Sequence, residues 1–187
     1  LDPVTSNEMV SLRITELVFN GLVGINEKQE IVPELAERWD VSKDGRTYFF
    51  FLRKDVTWHV RPGEAPKPFT ADDVVFTHDI MMHPKTITSL KVRYEFIESV
   101  EKADDHTVRF TLKRPILNAL AKFTFKVIPK HGPSNPAYLT REDPFVRRPI
   151  GTGPYQLKSV SGDGEITLAA NNAYFKGRPH LDTIVAK

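Results

Sequence analysis

The histidines are the side chains of this sequence best suited to metal binding. The 187-residue chain has six histidines and no cysteine, which excludes cysteine nucleophiles, disulfides and cysteine-ligated zinc. His78 and His83 stand five residues apart, whereas two zinc ligands on one helix face need a spacing of three or four. The sequence therefore predicts no metal site and no cofactor. We interpret each histidine as a surface residue or a hydrogen-bonded structural residue.

Two aspartate pairs have the composition of a general acid–base pair, but both have local explanations. Asp72 and Asp73 lie in the first turn of a predicted helix, where carboxylates favour the helix dipole. Asp104 and Asp105 lie in a predicted hairpin turn, where aspartate is favoured by bonds to its own backbone. No hydrolase, phosphate-loop or dinucleotide-binding motif accompanies them. The sequence therefore predicts that the chain is not an enzyme.

The composition predicts a globular chain with a sizeable core. Hydrophobic residues make up 40% of the chain, and its 26 basic residues nearly balance its 24 acidic ones. The basic pairs, such as Arg147-Arg148, are isolated, which argues against a nucleic-acid partner. No apolar run of 18 residues is present to span a membrane, and Leu1-Asp2-Pro3 is not a signal peptide. Because the apolar strand 183–185 almost meets Lys187, we expect a further element to follow.

Hydrophobic periodicity and turn residues predict an α+β fold. A capping-box pattern, Thr5 followed by Glu8, precedes a predicted helix over 8–19. Two more helices are predicted over 71–82 and 117–125, and 129–149 is rich in proline and predicted as loop. The predicted strands are 22–25, 31–32, 38–42, 47–53, 96–103, 106–113, 155–160, 165–170 and 181–186. The aromatic strand 47–53 is expected to be covered on both faces.

The segment from Ala36 to His59 has an ordered pattern: an alanine, Asp44-Gly45, an aromatic strand ending in Leu52-Arg53, then Asp55 and Trp58. It resembles the signature of the bacterial extracellular solute-binding proteins of family 5, the peptide- and nickel-binding receptors of ABC importers. Further matches follow in the same order as in that family. They are 1–3, 19–23, 68–77, 149–155 and 172–177. The loop 60–67 is longer than is usual there, and family chains are considerably longer than this one.

The resemblance implies a periplasmic-binding-protein-type lobe with an inserted α+β subdomain, truncated before the second lobe. Residues 1–38 and 148–187 would form part of the ligand-facing lobe, and 39–147 the insertion. The implied function is an extracytoplasmic receptor that binds a small molecule or peptide, most often a di- or oligopeptide, between two lobes. The implied partner is the membrane permease of an ABC importer. The implied state is a monomer in the periplasm or outside the cell, with or without a lipid anchor.

The resemblance also places six residues at the ligand cleft by position: Ser6, Asn7, Glu8, Leu90, Thr152 and Gly153. Glu8 has a second interpretation as the capping-box member, which leaves Asn7 as the better contact candidate. Leu90 follows the turn at Pro84 and has a core role as its alternative. The alternative for Thr152 and Gly153 is a structural role in a turn, since Gly151-Thr152-Gly153-Pro154 is also a tight turn into a strand.

Two other function classes stay open at this stage. One is a periplasmic binding-like module that serves as a sensor or chaperone without an importer. The other is a receptor of the same kind for a nickel chelate or an oligosaccharide. A hydrolase is disfavoured because no nucleophile–base motif is present.

Overall fold

The computed structural model describes residues 1–5, 9–61 and 63–187, with the side chains of Met9 and Val10 left aside. The described chain is an α+β structure with short helices and three antiparallel sheets. The helices are α1 (Met9–Val18), α2 (Ala71–Met82), α3 (Leu90–Tyr94), the 3-10 helix (Ala119–Lys122) and α4 (Pro144–Arg147). The strands are β1 (Val23–Ile25), β2 (Ile31–Pro33), β3 (Ala36–Val41), β4 (Thr47–Leu52), β5 (Ile97–Asp104), β6 (Thr107–Leu112), β7 (Tyr155–Val160), β8 (Ile166–Ala170) and β9 (Thr183–Ala186).

The sheets follow the chain order closely. β1 and β2 form a two-stranded sheet, and β3, β4, β6 and β5 form a four-stranded sheet in that order. β7, β8 and β9 form the third sheet. The predicted hairpins at 43–46, 104–105 and 161–164 are all present. Gly45 takes φ +67 in the first of them, a conformation that favours glycine.

Helix α2 has the bounds that the sequence predicts, because both of its ends are encoded locally. Thr70 precedes the helix in an extended conformation, and the Asp73 carboxylate accepts the N–H of Thr70 at 3.0 Å. His83 is extended and Pro84 follows, which stops the helix. The explanation of Asp72 and Asp73 as residues of a helix first turn is confirmed.

The core of the four-stranded sheet is aromatic and lies on one face. Phe50, Phe110 and Phe123 form a triangle with ring centroids 4.9 to 5.5 Å apart. Alternate β4 residues are buried, and the residues between them are half-buried. The expectation that both faces of this strand are covered is therefore wrong for the outer face. There the Arg38 guanidinium lies 3.4 Å from the ring centre of Phe51 and covers it only partly.

The short helices are where sequence and structure differ. The predicted helix 117–125 contains only one 3-10 turn, preceded by Asn118 in the left-handed conformation at φ 55. That residue interrupts helical geometry, and it follows Leu117, which is 90% exposed. Helices α3 and α4 were not predicted, because four or five residues are too few to show a helical period.

The two ends of the chain pack together. Helix α1 lies against β7 and against the turn at 151–153, which immediately precedes β7 in the chain. A Cβ on Gly151 would stand 1.8 Å from the Val18 carbonyl oxygen, so the turn approaches α1 more closely than any other residue would permit. Buried residues from both ends and from the four-stranded sheet belong to a single hydrophobic core.

Candidate functional site

A cavity of about 360 Å³, here called the α1 cavity, is the first candidate site. It lies between α1, β1, α3 and the segment 124–126. The predicted site residue Leu90 lines it and is half-buried. Its lining residues are Pro3, Leu12, Thr15, Glu16, Val23, Gly24, Ile25, Glu34, Leu90, Arg93, Tyr94, Thr124, Phe125 and Lys126.

The wall of the α1 cavity combines apolar surface with separated charges. Glu16 and Lys126 form an ion pair at 2.6 Å, so their charges offset each other. Arg93 is exposed, and no carboxylate pairs with it among the described residues. Its guanidinium carbon lies 5.6 Å from the ring centre of Tyr94. The cavity therefore offers an apolar surface beside a cation that is available to a carboxylate.

Tyr94 and Glu34 are the polar side chains that the fold holds in place at this cavity. Burial raises the pKa of Tyr94, against the opposing effects of Arg93 and of a hydrogen bond with Thr124. The Tyr94 hydroxyl is therefore neutral at physiological pH. The Glu34 carboxylate accepts the Gly21 N–H at 3.0 Å and lies 3.8 Å from Lys176 Nζ. These contacts hold Glu34 in place beside the β1 residues that line the cavity.

The N-terminal segment reaches the α1 cavity at Pro3, which is one of its lining residues. The Asp2 carboxylate accepts the N–H groups of Val4 and Thr5 at 2.9 and 2.7 Å, and Thr5 Oγ1 donates to it at 2.7 Å. Thr88 Oγ1 donates to the Val4 carbonyl at 2.5 Å, which ties the approach to α3 to this segment. The predicted site residues Ser6, Asn7 and Glu8, and the Glu8 half of the capping box, lie outside the described residues.

Thr152 and Gly153 lie in a second place, a buried polar junction where the chain returns past α1. Thr152 Oγ1 donates to Asn20 Oδ1 at 3.1 Å. The Gly153 N–H donates to the Val18 carbonyl at 2.9 Å, and its own carbonyl accepts the Asn171 side-chain amide at 3.0 Å. Thr152 is 1% exposed. The structure therefore places these two residues away from the cavity that Leu90 lines, and their contact with a ligand stays a prediction.

His59 closes the buried junction from the opposite side. Its Nδ1 accepts the Gly151 N–H at 3.2 Å, and its Nε2–H donates to the Gly153 carbonyl at 2.9 Å. Burial lowers the pKa of His59 to about 4, against the bond to Gly153. The ring is therefore neutral at physiological pH, which is the state that donates once and accepts once. The interpretation of this histidine as a hydrogen-bonded structural residue is confirmed.

Sequence reasoning did not assign Asn20, His59 and Asn171 to one place. They are far apart in the chain, and each stands in a segment that has its own local explanation as a turn or helix end. Their common partner is the Gly151–Gly153 turn. In the sequence, only the two glycines of that turn could have indicated that other segments pack closely against it. Across residues 1–5, 9–61 and 63–187, no group of three metal-ligating side chains is present, and no helix is long and apolar enough to cross a membrane.

Comparison with known proteins bears on the whole chain. A family model described as bacterial extracellular solute-binding proteins, family 5 Middle, matches residues 30–187. The dipeptide-binding protein of Escherichia coli is 35% identical over 171 residues, which are 83% of this chain and 32% of that protein. The chain thus spans about a third of the length of the curated relatives it matches.

Two solved structures show the same fold. NikZ from Campylobacter jejuni, in complex with Ni(L-His), superposes with a TM-score of 0.85 at 32% identity. The match covers all of this chain and 36% of that one. The oligopeptide-binding protein AppA from Bacillus subtilis, in complex with a nonapeptide, gives a TM-score of 0.85 at 30% identity. That match covers 99% of this chain and 36% of the other.

Proposed function

The chain belongs to the bacterial extracellular solute-binding proteins of family 5, and from that premise we propose that it is part of a peptide receptor. The receptor holds a di- or oligopeptide without covalent chemistry and delivers it to the permease of an ABC importer. The observation that carries the proposal is the α1 cavity, which sets apolar surface beside Arg93, a cation with no ion-pair partner in the described part of the chain. A peptide with a free carboxylate and an apolar side chain has the matching chemistry.

The proposed division of the chain assigns 1–38 and 148–187 to the ligand-facing lobe and 39–147 to the insertion. The packing of α1 against β7 supports the union of the two ends. Strand β3 runs from Ala36 to Val41 and pairs with β4, so the first three residues of this strand, 36–38, precede the proposed start of the insertion. The second lobe of the receptor would close over the peptide from the opposite side.

A nickel chelate is the second candidate ligand, because the NikZ structure holds Ni(L-His). A free metal ion would need three or more protein ligands, and the described residues offer no such group. A chelate brings its own ligands and a carboxylate, so Arg93 would serve it in the same manner. An experiment that identifies the ligand therefore has to compare peptides with nickel chelates.

The family supports a location outside the cytoplasm. We propose in addition that the receptor is a monomer, that it has no catalytic activity, and that a lipid anchor or free diffusion places it near its permease. A sensor or chaperone role without an importer would share the fold and the cavity. Loss of peptide uptake after deletion of the gene would support the receptor, and unchanged uptake with peptide-dependent signalling would support the sensor.

Thermal unfolding of the complete gene product against a set of solutes tests the ligand. The set contains dipeptides, longer peptides, nickel with and without histidine, and oligosaccharides. A ligand at 100 times its dissociation constant stabilises by about 2.7 kcal/mol, which is a readily measured rise in Tm. We expect the rise with peptides. A rise with nickel and histidine alone would overturn the peptide assignment.

Arg93→Gln tests the role of the α1 cavity in that binding. We expect the variant to weaken binding of a peptide with a free carboxylate about tenfold, and to leave a C-terminally amidated peptide unchanged, because only the first can pair with the guanidinium. Arg114→Gln removes an exposed cation elsewhere and is the matched control. Equal affinity of Arg93→Gln and the unmodified protein for both peptides would place the ligand outside this cavity.

A further inference from the structure

A second groove lies on another side of the molecule and takes no part in the proposed function. It runs between the segment after Trp58, the segment Arg147–Ile150 and strand β7, and its volume is about 1140 Å³. It is here called the basic groove. Its lining side chains include His59 at the back, Arg61, Glu64, Arg147, Arg148 and Lys158.

The charges of the basic groove are not neutralised within the described chain. Arg61, Arg147, Arg148 and Lys158 are exposed, and none of them forms an ion pair among residues 1–5, 9–61 and 63–187. Among the lining residues that the structure describes, Glu64 is the single acidic one. Arg61 Nη2 donates to the Arg148 carbonyl at 2.9 Å, which holds the two sides of the groove together. The sequence shows Arg147-Arg148 as an isolated basic pair, and folding brings the other two cations beside it.

Strand β7 presents a free edge to this groove. β7 pairs with β8 on one side, and its other edge has no strand partner in the described structure. Five consecutive residues of β7, Gln156 to Val160, line the groove. Successive side chains of a strand point to opposite faces, so five in a row at one groove place the groove along the strand edge as well as on one face. Ala169 of β8, opposite Gln156, also lines the groove, and the β7–β8 register shifts between Leu157 and Ser159. The backbone N–H and C=O groups of the free β7 edge are therefore accessible from the groove.

We propose that the basic groove binds an extended acidic segment of a partner protein, which adds as a strand to the free edge of β7. The β7 edge supplies backbone hydrogen bonds, and the four cations meet carboxylates on the added strand. Six residues of strand span about 20 Å, which suits a segment of similar length. A small anion would pair with the cations but would not bond to the β7 edge. A membrane surface would neither bond to the β7 edge nor enter the groove.

The probe is a fluorescent hexapeptide of alternating glutamate and valine with an acetylated N-terminus and an amidated C-terminus. Blocked ends remove the terminal carboxylate proposed to pair with Arg93 in transported peptides. The glutamate side chains of the probe still carry carboxylates, so Arg93→Gln is included as a control and is expected to leave the affinity for the probe unchanged. Fluorescence anisotropy with the complete gene product measures the affinity at low and high salt. We expect saturable binding that weakens with salt, because charge pairs at an exposed groove are screened.

Two comparisons decide the outcome. Arg147→Glu with Arg148→Glu is expected to lower the affinity at least about tenfold, whereas the control Lys43→Glu with Lys113→Glu, of equal charge change at exposed sites, leaves it unchanged. Peptides N-methylated at the odd or at the even residues are expected to differ, because only one set of N–H groups faces β7. Equal binding of both methylated peptides would overturn strand addition. No binding of the probe, or displacement of the probe by vesicles that contain phosphatidylglycerol, would also overturn the proposal.

Discussion

His59 makes two hydrogen bonds that require a neutral imidazole. It accepts from the Gly151 N–H and donates to the Gly153 carbonyl, and it is 9% exposed. A protonated ring would lose its acceptor and place the Nδ1–H donor against the Gly151 N–H. The return of the chain past α1 therefore depends on the protonation state of one side chain.

The predicted consequence is a loss of stability on acidification. The folded-state pKa of His59 is lowered to about 4 from 6.5, so the unfolded chain takes up the proton first. The stability that His59 contributes is complete above pH 6.5 and falls as the pH drops toward 4, by about 3 kcal/mol in total. Urea unfolding at several pH values is expected to show this extra loss in the unmodified protein and not in His59→Gln.

The comparison between the two proteins isolates His59 from other buried groups. Burial also lowers the pKa of His78 and His131 and raises the pKa of Asp73, and those groups are common to both proteins. His180→Gln, at an exposed position, is the control and is expected to keep the full pH dependence. Parallel pH profiles for the unmodified protein and His59→Gln would show that the ring is not buried as a neutral group.

Asp73 and Asp72 are adjacent carboxylates with different roles. Asp73 accepts from Trp58 Nε1 at 3.2 Å and from the N–H groups of Thr70 and Lys130 at 3.0 and 2.8 Å. Asp73→Ala would leave these donors unpaired and is expected to cost about 3 kcal/mol. Asp72 is half-buried and forms ion pairs with Lys102 and Lys130 near the surface, so Asp72→Ala is expected to cost less than about 1 kcal/mol. Chemical denaturation of both variants measures the difference, and equal costs would contradict the assigned roles.

At the scale of elements, the contact between α1 and the 151–153 turn leaves no room for a side chain on either glycine of the turn. A Cβ on Gly153 would stand 2.4 Å from the Leu17 carbonyl oxygen, and the distance for Gly151 to Val18 is shorter still. Gly151→Ala therefore requires α1 and the turn to separate, and is expected to cost about 3 kcal/mol or more.

Gly162→Ala is the matched control for that substitution. No atom lies within 4 Å of a Cβ at Gly162, so this variant is expected to retain the stability of the unmodified protein. Differential scanning calorimetry of both variants gives the comparison. A Gly151→Ala protein with unchanged Tm would show that the turn does not approach α1 as the structure places it.

Elements with strong local signals were predictable from sequence, and those set by tertiary contacts were not. Helix α2 has a capping residue at Thr70 and a stop at Pro84, and its bounds are as predicted. Helix α3 has no such signals. The predicted helix 117–125 reduces to one 3-10 turn, because its residues pack individually: Phe123 is fully buried, whereas Leu117 is exposed. Residues 6–8, which carry half of the predicted site, lie outside the described part of the chain.

At the scale of the whole molecule, one hydrophobic core connects the four-stranded sheet with both chain ends. Phe50 of β4, Phe19 after α1 and Leu168 of β8 are all fully buried members of it. The resemblance in sequence assigns the two ends to one lobe and the four-stranded sheet to an insertion, and that division stays a prediction. The buried junction and the basic groove were beyond prediction, because each gathers residues from segments that are distant in the chain.

The most direct test of the central claim is calorimetric titration of a peptide into the complete gene product and into residues 1–187 alone. A ligand that is held between two lobes has its polar groups matched from both sides. We predict saturable one-to-one binding by the complete product and at least about 100-fold weaker binding by residues 1–187, a difference of about 2.7 kcal/mol. Equal, tight binding by residues 1–187 would contradict the two-lobed receptor, and no binding of peptides by the complete product would contradict the peptide assignment.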